Sequence, residues 1–191
     1  MEQSDAAAVA QVRAGDSDAF RVLVERHSHS VFRLAFRMTG NEQDAEDLVQ
    51  ETFLRAYRQL GRFDGRAGFS TWVYRIAANC SLDLIRARKR RQEQQVPVDE
   101  DGQEVTEVAV AEAPTPERLA FSGELQRLIG PALSRLSAME RAAFVLRHYE
   151  GMCMEDIASA LGVHSGAAKH SVFRAVQKLR RALEPAVGSA K

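Results

Sequence analysis

The sequence is poor in the features that mark an enzyme, a secreted protein or a membrane protein. Two cysteines, Cys80 and Cys153, occur in 191 residues, far apart and without a Cys-x-x-Cys spacing. This argues against a disulfide framework and fits a reducing compartment, where both are expected to be small buried apolar groups. No apolar run approaches the length of a membrane span, and the opening MEQSDAAAVA lacks a basic-then-apolar signal. A cytoplasmic protein without membrane insertion is therefore expected. The histidines His27, His29, His148, His164 and His170 have no cysteine pair beside them, and His27-x-His29 cannot share one helical face. No metal and no cofactor is expected. Neither an alternating strand pattern nor an internal repeat is present, so the fold class is all-α.

The net charge is zero, with 26 basic and 26 acidic side chains, but the charge is segregated. Residues 1–91 carry a balance of +3, residues 92–117 carry −8 with no basic side chain, and residues 118–191 carry +5. The middle stretch also holds Pro97, Pro114 and Pro116 and has no useful period. It reads as an acidic linker over 92–117, flanked by two small helical domains at 15–91 and 118–184.

The first module reads as a helical bundle. A short helix over Ala6–Ala14 ends at Gly15, and Asp16 or Ser17 is placed to cap a second helix carrying Phe20, Leu23, Val24, Val31, Leu34 and Ala35. Gly40-Asn41 breaks the chain before a helix over Glu42–Leu60. There Ala45, Leu48, Val49, Thr52, Phe53, Ala56, Tyr57 and Leu60 form a clean apolar stripe. Its polar side presents Asp44, Glu46, Asp47, Gln50 and Glu51. Early acids favour the helix dipole, and the same face could dock a basic partner. With neither a histidine nor a pocket-forming loop beside Asp47 and Glu51, an acid–base or metal role is not expected. After the glycine-rich loop GRFDGRAG at 61–68, Ser70 or Thr71 opens a fourth helix with Trp72, Val73, Ile76, Ala77, Cys80 and Leu84 inward. It ends in Arg86-Ala87-Arg88-Lys89-Arg90-Arg91, a cluster that suits DNA phosphates or a solvated helix end.

The second module carries GMCMEDIASALGVHSGAAKHSVFRAVQKLRRAL at 151–183. Met154, Ile157, Ala158 and Leu161 share one face of a short helix, Gly162 supplies a turn, and Ser165 is placed to cap a second helix. In that helix Ala168, Val172, Val176, Leu179 and Leu183 form an apolar stripe. His170, Arg174, Gln177, Lys178 and Arg181 point away from it, with Phe173 and Lys169 at its flanks. A helix that packs one side and offers cations on the other suits a major groove. An ordinary helical hairpin with a solvated face would read the same way from this segment alone.

Two further stretches make the reading specific. Asp44-Ala45-Glu46-Asp47-Leu48-Val49-Gln50-Glu51-Thr52-Phe53, followed by Phe69-Ser70-Thr71-Trp72-Val73-Tyr74-Arg75-Ile76-Ala77-Ala78-Asn79, resembles region 2 of bacterial sigma factors. The resemblance is to the extracytoplasmic-function (ECF) group of the sigma-70 family. Residues 136–183, with LRHYEGMCMEDIASALGV and FRAVQKLR, resemble region 4 of the same group. The matches run in the family's order.

The resemblance implies a promoter-specificity subunit with no enzymatic activity of its own, which binds core RNA polymerase at the β′ clamp helices and the β flap. It places clamp-helix docking on Asp47, Gln50 and Glu51. Capture and melting of the −10 strand fall to Arg62, Phe63, Phe69, Trp72, Arg75 and Asn79, and phosphate contacts to Arg86, Arg88 and Arg90. Phe69 would equally serve to seal the core beside Trp72, and Trp72 itself lies on the apolar stripe. Recognition of the −35 duplex falls to the helix opening at Ser165, with Lys169, His170, Phe173 and Arg174, and with Lys178 on the same cationic side. Arg174 is the candidate for a bidentate guanine contact, and Phe173 could meet a thymine methyl. The family's common Thr and Arg are replaced by Ala167 and Ser171, which puts this chain's −35 preference in question. An anti-sigma partner is also implied, and the linker would thread the polymerase interior or act as a passive tether. A stand-alone helix-turn-helix regulator is the competing reading. It leaves the acidic helix 44–60 and the loop 61–69 unused.

Overall fold

The computed structural model describes residues 4–95 and 123–188, which form α-helices joined by short turns with no strand among the described residues. In chain order these are α1 (Asp5–Arg13), α2 (Ala19–Thr39), α3 (Glu42–Gln59), α4 (Phe69–Gln95), α5 (Gly123–Ser134), α6 (Ala138–His148), α7 (Met154–Leu161) and α8 (Ser165–Gly188). The all-α expectation holds. The fourth helix runs to Gln95, past the residue-91 boundary read from composition. The rest of the acidic stretch lies outside the described residues, and with it the question of its role.

Local chemistry sets the boundaries. Ser4 caps α1, accepting a hydrogen bond from the Ala7 amide at 3.2 Å. Neither Asp16 nor Ser17 caps α2. Asp16 Oδ1 instead takes the Asp18 amide at 3.1 Å in the preceding turn, and the helix starts at Ala19. Gly40 ends α2 at φ 71°, a left-handed conformation that an L-side chain adopts only at a cost. Asn41 then caps α3 by accepting the Asp44 amide at 2.9 Å. Gly162 repeats the device between α7 and α8 at φ 64°. Ser165 is the first helical residue of α8 and not its cap, because the His164 carbonyl already accepts the Ala168 amide.

Module one packs α2, α3 and α4 around Leu23, Leu34, Met38, Ala45, Ala56 and Val73, all with no side-chain exposure. Arg13 on α1 clamps the turn after α3, donating to the carbonyls of Leu60 (2.9 Å), Gly61 (3.4 Å) and Phe63. In module two, α6 and α7 pack on α8 through Ala142, Val145, Leu146, Ile157 and Ala168. The buried line of α8 runs through Ala168, Ser171, Ala175 and Leu179, with Val172, Val176 and Leu183 half-buried beside it.

Three further positions differ from their sequence reading. Cys153 is exposed and caps α7, its sulfur accepting the Asp156 amide, whereas Cys80 is buried as expected. Burial pushes the Cys80 thiol up, away from thiolate chemistry. Tyr57 ends its stripe half in solvent, its ring edge-on to Phe20. Asp44, assigned to the polar face of α3, is buried at the α3–α4 seam.

The two modules also pack on each other. Helix α7 lies on α4, and α6 lies on α2 and α4, so that one apolar core runs through both.

Candidate nucleic-acid and polymerase interfaces

The exposed side of α3 carries Asp47 and Gln50, with Glu51 half-exposed and Leu54 open to solvent one turn further on. Gln43 donates to Asp47 at 3.5 Å. Glu51 pairs with Arg55 at 2.5 Å, and Arg55 reaches on to Asp83 of α4 at 3.4 Å. The Glu51 hydrogen bond raises the Arg55 pKa above its already high value, so the guanidinium stays charged. The face thus presents carboxylates, an amide and an apolar side chain on a braced helix. It offers hydrogen-bond acceptors to cations of a partner, with Leu54 available to a small apolar pocket.

The loop after α3 divides the residues expected at the −10 strand. Arg62 is exposed, as a nucleic-acid contact requires. Phe63 and Phe69 are not: they are 8% and 3% exposed and pack with Trp72 at ring separations of 5.2 to 5.9 Å. The His27 ring lies 5.2 Å from Phe69 and is bound to Asp5 at 2.8 Å. Both phenylalanines serve as core residues here, because a glycine-rich loop leaves the nearest large side chains to seal the bundle end. Trp72 is half-buried in the same cluster.

On α4, Asn79 is exposed and its amide donates to the Arg75 carbonyl at 2.9 Å. Arg75 forms an ion pair with Asp156 of α7, across the two modules. At the end of the helix the basic cluster divides. Arg88 makes a two-pronged pair with the buried Asp44, which fixes the α3–α4 angle and removes that guanidinium from the set expected to hold phosphates. Arg86 stands 4.0 Å from Asp83, and Arg90 is exposed.

The outer face of α8 carries the residues expected to read duplex. Lys169, His170, Phe173, Arg174 and Lys178 are exposed, and Ser165 is half-buried. Phe173, at 61%, is the most exposed of the large hydrophobic side chains described. An aromatic ring held in water on a cationic helix adds little to the core and is accessible to a partner. Ser171, by contrast, is buried at 4% and cannot reach a groove in this arrangement.

One organiser of this face escaped the sequence reading. Glu140, on α6, has a side chain only 4% exposed, with Lys178 Nζ at 2.8 Å and Arg174 Nε at 3.5 Å. Burial alone would raise its pKa, but the bonds from Lys178 and Ser137 hold the carboxyl below the usual range, so it stays ionised. Arg174 is thereby held at its Nε while its side chain remains largely exposed. Lys178 is engaged internally instead of being free for phosphate.

Comparison with known proteins covers both modules. The family model for Sigma-70 region 2 matches residues 23–91, and that for Sigma-70, region 4 matches 126–179. The chain is 34% identical to the RNA polymerase sigma-H factor of Pseudomonas aeruginosa over 96% of each chain. It is also 34% identical to the ECF RNA polymerase sigma factor SigW of Bacillus subtilis, over 92% of this chain and 94% of that one. The protein belongs to the ECF group of the sigma-70 family.

Solved structures share the architecture. The sigma factor RpoE of Bartonella quintana, in complex with the anti-sigma factor NepR, superposes with a TM-score of 0.68 at 25% identity, covering 86% of this chain and 96% of that one. CnrH in complex with the cytosolic domain of CnrY gives 0.64 at 27%, covering 93% and 96%. This sigma factor is thus a non-enzymatic transcription-initiation factor acting at promoters, not a stand-alone regulator. No helix among its described residues is long and apolar enough to cross a membrane.

Proposed function

We propose that this sigma factor docks core RNA polymerase through Asp47, Gln50 and Glu51 on α3, with Leu54 as the apolar member of the same face. Module one, about 15–91, engages the −10 strand through Arg62, Arg75 and Asn79, with Arg86 and Arg90 on phosphates. Module two, about 118–184, reads −35 duplex through Lys169, His170, Phe173 and Arg174. Strand separation costs a few kcal/mol per unpaired base, offset by base capture and backbone contacts without nucleotide hydrolysis.

The observation that carries this reading is the division of labour between two exposed faces. An acidic, amide-bearing face lies on α3 and a cationic, aromatic one on α8, in one chain and on opposite modules. A single DNA-binding module would need only the second. On this reading the chain acts in the cytoplasm, with an anti-sigma partner as its negative regulator. The support for that partner is that the similar RpoE and CnrH structures are complexes with NepR and CnrY.

The deciding experiment is charge reversal of Asp47 and Glu51 to Arg in the full chain. Binding to core polymerase is expected to fall by at least tenfold, because acceptors become cations facing cations. Circular dichroism should stay at wild-type helicity. Unchanged polymerase affinity would refute the docking face.

A further inference from the structure

The match to Sigma-70 region 2 begins at residue 23, so α1 lies outside it, yet α1 holds the loop 61–68 at both ends. At the start of the loop the exposed Arg13 converges on three carbonyls. Its Nη2 donates to Leu60 O at 2.9 Å, to Gly61 O at 3.4 Å and to Phe63 O. Its Nε donates to Leu60 O at 3.3 Å. At the far end Asp5 binds the buried His27 at 2.8 Å, and the His27 ring lies 5.2 Å from that of Phe69.

Arg62, exposed and assigned to the strand, sits between two of the clamped carbonyls, those of Gly61 and Phe63. Building on the reading of this loop as part of the −10 strand site, we propose that Arg13 is a positioning residue for strand capture. It fixes the backbone on both sides of Arg62 and so sets where that side chain meets the strand.

The loop needs such a brace. Gly61, Gly65 and Gly68 lose more conformational freedom on ordering than other residues would, and Gly65 is held at φ 72°. Within the loop the Phe63 amide donates to the Leu60 carbonyl at 3.2 Å, and the Arg66 amide donates to Asp64 Oδ1 at 3.0 Å. Bonds between such near neighbours shape a turn without tying it to the bundle. The rings of Phe63 and Phe69 bury the two ends of the loop, and the Arg13 fork ties its backbone to α1.

A guanidinium suits this task. Its N–H donors lie in one plane as a rigid fork, and its charge strengthens each bond to a carbonyl. A lysine ammonium carries the same charge without the fork. With its donors turned to carbonyls, Arg13 acts through Arg62 and not on a phosphate of its own. A phosphate contact would strengthen all sequences alike, whereas a brace sharpens the reading of the base that the loop faces.

The test uses holoenzyme assembled with the full chain, and a fork DNA whose unpaired −10 strand carries about six randomised positions. Sequencing the bound fraction gives the base preference at each position. Arg62→Ala should flatten the preference where the loop meets the strand. Arg13→Ala should lower the preference at that same position by about fivefold or more and leave the others at wild type. Arg13→Lys should fall with Arg13→Ala. In the free chain, amides of residues 63–69 should exchange hydrogen about tenfold faster in both Arg13 variants, with α1, α2 and α3 protected as in wild type. Polymerase affinity should match wild type. An Arg62→Ala profile equal to wild type would sink the strand-site reading, and the proposal with it. With the Arg62 effect present, wild-type preference in Arg13→Ala would overturn the brace alone. Full recovery by lysine, or a uniform loss across all positions, would do the same. Lost protection of α1 or weakened polymerase binding would trace the effect to helix docking or to the polymerase face, and would likewise overturn it.

Discussion

Glu140 shows how one side chain ties a cap to a recognition surface. Its carboxylate accepts the Ser137 amide at 3.0 Å, Ser137 Oγ accepts the Glu140 amide at 3.3 Å, and the same carboxylate holds Lys178 and Arg174. Replacing it with Gln keeps an acceptor for the cap but removes the charge. Glu140→Gln should cost about 1 kcal/mol in urea denaturation, typical for a cap bond and a charge-assisted bond weakened together. The pH dependence has a definite sign. The folded carboxyl titrates below its unfolded value, so its contribution is complete above the ordinary carboxylate pKa and is lost as pH falls through the lower folded one. Wild type should therefore lose more stability than the variant on acidification from about pH 5 to pH 3. Equal slopes would show that the charge does not matter. At the DNA face, Arg174→Ala should reduce discrimination at one −35 base pair by about 1–3 kcal/mol, measured by competition among single-base operator variants in the holoenzyme. Polymerase affinity should stay unchanged, since Arg174 is on the other module from the acidic face.

At the scale of elements, legibility followed periodicity. The stripe of α3 and the Gly40 and Gly162 breaks were readable because a helix repeats every 3.6 residues and a left-handed turn demands glycine. What periodicity leaves open is which polar residue at the edge of a stripe is drawn inside. Asp44 looked solvent-facing and is buried, because Arg88, 44 positions later, supplies its counter-charge. Ser171, which stands where the family commonly has an arginine, falls on the buried line of α8 because α6 and α7 cover that side. Phe63 and Phe69 could equally have stacked a base or sealed the bundle, and only packing with Trp72 decides. The turn into the recognition helix gives a clean test of backbone strain. A Cβ at Gly162 would meet nothing within 4 Å, so the only penalty for Ala is its φ of +64°. Gly162→Ala should lower stability by about 1–2 kcal/mol, the usual left-handed cost, with unchanged circular dichroism. A neutral outcome would mean that the α7–α8 turn relaxes to another geometry.

The whole-molecule arrangement was the least legible, since nothing local in Asp156 reveals that it faces Arg75, 81 positions earlier. Charge segregation suggested two modules on a tether, whereas the fold joins them through one core in which Ile157 of module two is fully buried. A continuous core makes a thermodynamic claim: the modules should unfold together. The single tryptophan, Trp72, sits in module one, packed with Phe63 and Phe69. Ile157→Ala removes buried methyl and methylene groups from module two and should cost about 2–4 kcal/mol. If the modules are coupled, urea unfolding of this variant followed by Trp72 fluorescence should shift to lower denaturant, in step with circular dichroism. If they fold separately, the Trp72 transition should stay at the wild-type midpoint while the helical signal splits into two steps. Coincident shifts would place the free energy of inter-module packing above that of one module unfolding alone.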